Sequence, residues 1–62
     1  MWIKTTDDIL INTDCVAEIR FVTHKNKTEC WTGSDYITVS RENIVPQIAD
    51  ALSREQSYME VR

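Results

Sequence analysis

Val16-Ala17-Glu18-Ile19-Arg20-Phe21-Val22-Thr23 decides the fold class. Ala17, Ile19 and Phe21 alternate with Glu18 and Arg20, a period of two that lines one face of a strand and would scatter around a helix. Val22 breaks the polar row, so part of the second face is expected to be covered too. Strand 16–23 therefore anchors a sheet, and the flanking sequence is read outward from it.

Downstream, Lys25-Asn26-Lys27 interrupts the alternation as a hairpin tip, and 28–32 resumes it, with Cys30 facing away from Glu29 and Trp31. Gly33-Ser34-Asp35 is a turn, because glycine takes positive φ at no steric cost. Residues 36–40, Tyr-Ile-Thr-Val-Ser, form the next strand. Upstream, Asn12-Thr13-Asp14 reads as a turn in which an Asx side chain bonds the backbone two residues on. Strands at 9–12 and 2–5 precede it, joined by Thr6-Asp7-Asp8. Five short strands with tight connections predict a mainly β, α+β domain: an antiparallel meander or small barrel followed by one helix.

The period changes after Ser40. Ile44, Val45, Ile48, Ala49 and Leu52 make one apolar stripe, predicting a helix over 43–55. Pro46 must fall in its first turn, where a missing N–H has no intrahelical partner, which places the cap near Asn43. The tail 56–62 alternates again and fits a sixth strand, a docking arm for a partner or a frayed end.

The chain of 62 residues forms a single domain, and one this small buries only about 60% of its unfolded surface. Small domains add disulfides, a metal or a second subunit, and two cysteines with one histidine are too few for an ordinary structural zinc site. A homodimer is the expectation. The start Met1-Trp2-Ile3-Lys4 has no signal-peptide character and no segment approaches a membrane span, so a cytoplasmic protein with reduced thiols is expected. A Cys15–Cys30 disulfide is formally open but at odds with that compartment.

Few residues carry chemistry. Cys15, His24 and Cys30 match no metal spacing, and a Cys–His nucleophile lacks an orienting group and a pocket. Asp7, Asp8 and Asp14 read as turn residues, and a single glycine excludes a glycine-rich phosphate loop. The expectation is a protein that is not an enzyme and uses no cofactor or metal. Trp2, Trp31 and Tyr36 with Lys4, Lys25, Lys27 and Arg41 are the residue types of a single-strand binder, although a core or a dimer contact also needs aromatics. The net charge of −3 opposes nucleic acid unless the cations gather on one face.

In length and layout the chain resembles the carbon storage regulator family. "MWIKT" at 1–5 is similar to that family's opening, and "ITVSRENIVPQIADAL" at 37–52 to its last strand and helix. The resemblance implies an interlocked homodimer that binds GGA motifs in RNA, with Arg41 at the contacting arginine position and Lys4-Thr5 on the RNA-facing edge. Where the family has two arginines after its first strand, this chain has Thr6-Asp7. A short first strand, the Asn12-Thr13-Asp14 turn and the Gly33 turn are also similar to FlbD-type flagellar proteins.

The leading expectation is a non-catalytic interaction or regulatory module, with Trp2, Trp31, Tyr58 and Met59 as partner-binding candidates. The alternative is an RNA-binding regulator using Lys4, Thr5, Lys25, Lys27 and Arg41. Metal-dependent or thiol activity comes third.

Overall fold

The computed structural model describes residues 1–62. It contains β1 (Trp2–Lys4), β2 (Leu10–Asn12), β3 (Glu18–Val22), β4 (Lys27–Trp31), β5 (Tyr36–Ser40), α1 (Val45–Ser53) and β6 (Tyr58–Glu60). The predicted α+β class holds. The strands divide into two three-stranded sheets, ordered β2-β1-β6 and β3-β4-β5. No barrel closes. β6 lies parallel to β1, while every other pair is antiparallel.

Local chemistry explains each corner. Asn12 Oδ1 accepts from Asp14 N–H at 3.0 Å, the Asx bond expected at that turn. Gly33 has φ +103, as a glycine turn requires. The β1–β2 hairpin closes with Asp8 at φ 62, and the β3–β4 tip with Asn26 at φ 51, both residue types that tolerate the left-handed region. α1 begins with Pro46 in its first turn and Asn43 Oδ1 accepting from Val45 N–H at 3.2 Å. It ends where Glu55 takes φ 56 and donates to Leu52 O, while Gln56 donates to Ala51 O. That is a Schellman turn, made without the usual glycine, and it sends the chain back to form β6.

The core lies between the inner faces of the two sheets and is closed by the helix. Ile3 and Ile11 come from the first sheet, Cys30 and Val39 from the second, and Ile44 and Ile48 from α1 and its entry. Met59, Ile19 and Ile37 pack around them. Thr28 is fully buried and keeps both sides satisfied: its hydroxyl donates to Glu42 O at 2.7 Å and accepts from Ile44 N–H at 3.1 Å. These bonds fix the entry of α1 onto β4.

Two sequence-based details are corrected, and the alternatives left open for the tail are resolved. The buried helical stripe is Ile44, Ile48 and Ala51, at i, i+4 and i+7, with Ala49 and Leu52 exposed. Ala17 lies outside β3 and is exposed, and Val22 is the buried residue of that strand. Of the three readings of the tail, the sixth strand holds: Trp2 N–H donates to Ser57 O and Val61 N–H to Lys4 O, both at 2.9 Å.

The molecule exposes 4136 Å², against about 4,100 Å² for a compact monomer of this mass. Its radius of gyration is 10.5 Å, against about 10.6 Å for such a chain length. No strand depends on a second copy for its pairing. No helix is long and apolar enough to cross a membrane.

Candidate functional site

The outer face of sheet β2-β1-β6 follows from strand alternation alone. With Ile3, Ile11 and Met59 turned inward, their neighbours must turn outward. The register places Trp2 between Asn12 and Tyr58, and Lys4 between Leu10 and Glu60. Trp2 and Tyr58 are each 49% exposed and Leu10 is 58% exposed. Together with Ser57 they line an open groove of about 470 Å³.

Charge gathers at one end of this face. Lys4 Nζ sits 3.4 Å from Asp8 Oδ1, and a hydrogen bond to Asp8, then the Asp8 and Glu60 charges, hold the ammonium pKa above its ordinary value. Tyr58 OH donates to Glu60 Oε1 at 3.3 Å. The groove is thus apolar along Trp2, Leu10 and Tyr58 and bordered by one cation and two carboxylates.

The outer face of sheet β3-β4-β5 uses similar residues differently. Trp31 and Tyr36 pack with ring centroids 4.6 Å apart, and the Arg20 guanidinium lies 4.6 Å over the Tyr36 ring while Nε pairs with Glu18 at 3.5 Å. Beside them Glu29 is 2% exposed. Lys27 and Lys25 reach its Oε2 at 3.4 and 3.8 Å, and Oε1 is buried without a hydrogen-bond partner. The hairpin-tip lysines therefore serve a carboxylate of their own sheet.

The remaining cations follow the same rule. Arg41 donates to Asp7 at 3.2 Å, and Arg54 pairs with Asp50 at 3.2 Å. Of seven Lys and Arg residues only Arg62 has no carboxylate partner. Thr5 is buried, with its hydroxyl accepting from Ile9 N–H at 3.1 Å. Lys4, Thr5, Lys25, Lys27 and Arg41 are thus each engaged within the chain.

Of the partner-binding candidates, Trp2 and Tyr58 come together on one face. Trp31 belongs to the other sheet, and Met59 turns inward against the core. Leu10 is the residue that the sequence reading missed. Its signal was the strand alternation around Ile11: with Ile11 turned into the core, its strand neighbour Leu10 must point away from it.

The thiols stand apart. Cys15 is exposed, Cys30 is buried and both are free. Burial pushes the Cys30 thiol pKa up, the reverse of an activated nucleophile. His24 is exposed at the hairpin tip, and no three His, Cys, Asp or Glu side chains converge in a metal-binding arrangement. A smaller depression of about 250 Å³ lies between Leu52 and the Val16–Ile19 segment. Comparison with protein-family models, curated proteins and solved structures finds no match for this chain.

Proposed function

We propose that this protein is a non-catalytic interaction module, and that it docks a segment of another protein on the outer face of β2-β1-β6. One observation carries the reading: Trp2, Leu10 and Tyr58, each about half exposed, converge with Ser57 on one groove. Contiguous exposed apolar groups of this kind are costly in water and mark interaction surfaces. Trp and Tyr are also the side chains that most often dominate binding energy at such surfaces.

Electrostatics favours a protein over RNA. Phosphate binding needs cations free to displace counterions, and the candidate cations already face carboxylates. An anisotropy titration with GGA-containing RNA hairpins is expected to show no salt-sensitive binding.

The test is selection of a phage-displayed random peptide library on the folded protein, followed by amide shift mapping with a recovered peptide. Shifts are expected at Trp2, Leu10 and Tyr58, with binding lost in Leu10→Thr. Shifts centred on Trp31 and Tyr36, or peptides indifferent to Leu10→Thr, overturn the reading.

A further inference from the structure

We infer that the segment docking on this face is cationic, setting an apolar side chain between Trp2, Leu10 and Tyr58 and a lysine or arginine against Asp8 and Glu60. The inference rests on the docking reading above and adds the partner's charge to it.

The border of the groove supplies the argument. Its one cation, Lys4, is already held by Asp8 at 3.4 Å, and Glu60 also acts on it. One ammonium therefore faces two carboxylates. The Asp8 side chain is 81% exposed, and neither Asp8 Oδ2 nor Glu60 Oε2 has a partner in the chain. Arg62, the remaining unpaired cation, lies past the end of β6. A positive group entering here meets two open carboxylate oxygens beside two half-exposed aromatic rings, which attract cations through their faces. A negative group meets repulsion from the border and from a molecule of net charge −3.

The same charges argue against a second copy of the chain in the groove. A two-fold contact pairs a patch with itself, so it sets Asp8 and Glu60 of one copy near those of the other and joins two molecules of charge −3.

The peptides recovered from the random library provide the experiment. They are expected to combine Lys or Arg with a neighbouring Leu, Ile, Phe or Trp, and their affinity should fall as salt rises. The isosteric double variant Asp8→Asn/Glu60→Gln, which keeps a residue tolerant of positive φ at position 8, should weaken them roughly fivefold. Leu10→Thr should weaken them more, at every salt concentration. Neutral or acidic recovered peptides, or peptides bound equally by the Asp8→Asn/Glu60→Gln protein, overturn the cationic assignment and leave the docking face standing. Recovery of no peptide, or of peptides indifferent to Leu10→Thr, overturns both. Sedimentation equilibrium supplies the remaining arm: a dimer that Leu10→Thr dissociates gives the face to a second copy and overturns the cationic partner.

Discussion

The two sheets each carry aromatic residues on their outer faces, and Tyr36 is about as exposed as Trp2 and Tyr58, yet only one face gathers its aromatics around an apolar groove. On β3-β4-β5 the Tyr36 ring has Trp31 beside it and Arg20 above it, and the buried Glu29 carboxylate draws in Lys25 and Lys27. On β2-β1-β6, no ring stacks on Trp2 or Tyr58 and no guanidinium lies over them. The difference shows that residue types do not make a site. What matters is whether the chain satisfies them itself. Lysine and tryptophan near one another look like a nucleic-acid surface until each lysine is found on a carboxylate.

The sharpest way to break the contrast is to compare the inside of the first sheet with its outside. Ile3 is fully buried between the sheets, so Ile3→Ala should cost about 2–5 kcal/mol, transfer and cavity terms together. Leu10, in the neighbouring strand, is 58% exposed, and threonine suits a strand, so Leu10→Thr should cost under about 1 kcal/mol. Urea unfolding of both variants measures the gap. Equal losses would show that Leu10 belongs to the core and that the open face is a misreading.

The next largest effect tests the closed face. Replacing Lys25 and Lys27 together by methionine strands a buried carboxylate, at a cost of about 1–3 kcal/mol. Adding Glu29→Met to that double variant should restore most of the loss, because an apolar group needs no counter-charge. Failure of the rescue would mean that the lysines contribute by packing or by turn geometry, and that the closed face is not held by charge.

Much of this architecture was legible because it rests on local rules. The alternation around Ile19, the Asx bond of Asn12, the positive φ of Gly33 and the first-turn position of Pro46 each follow from one side chain and its neighbours. The parts that were hidden depend on distant segments. Nothing local tells that 58–60 pairs in parallel with 2–4, or that two sheets form rather than one continuous meander. Glu29 sat on the correct face by alternation, but its burial comes from lysines two and four residues earlier that fold over it. Half of the candidate site was therefore visible: Trp2 and Tyr58 could be named, whereas their meeting needed β6. The three left-handed residues Asp8, Asn26 and Glu55 were equally hidden, since side chains other than glycine rarely announce positive φ.

A smaller effect separates the shared core from both outer faces. Burial holds the Cys30 thiol protonated, so its folded pKa lies above its unfolded value. For an acid shifted upward, the stabilisation is complete below the unfolded pKa, about 8.5, and is lost as pH rises through the folded value. Stability should therefore decline on the alkaline side, and Cys30→Ala should remove that part of the slope while lowering stability throughout. Thiol labelling adds an independent readout: Cys15 should react at once, and Cys30 only when the molecule opens.

The smallest effect concerns how the open face is assembled. β6 has a neighbour on one side only, β1, and it reaches that place through the Schellman turn at Glu55. A non-glycine residue at φ 56 is strained, so Glu55→Gly should stabilise the protein by about 0.5–1 kcal/mol. That gain ought to be local as well as global. In native-state hydrogen exchange, the Val61 amide, bonded to Lys4 O, should exchange through openings smaller than global unfolding, whereas amides of the central strand β4 should not. Tightening the turn should slow Val61 toward the global limit. If it does, Tyr58 is delivered to Trp2 by a helix-end turn that one substitution can strengthen. The groove then differs from the closed face in stability as well as in chemistry, since two of its lining residues, Ser57 and Tyr58, lie at the entry and start of β6, an edge strand.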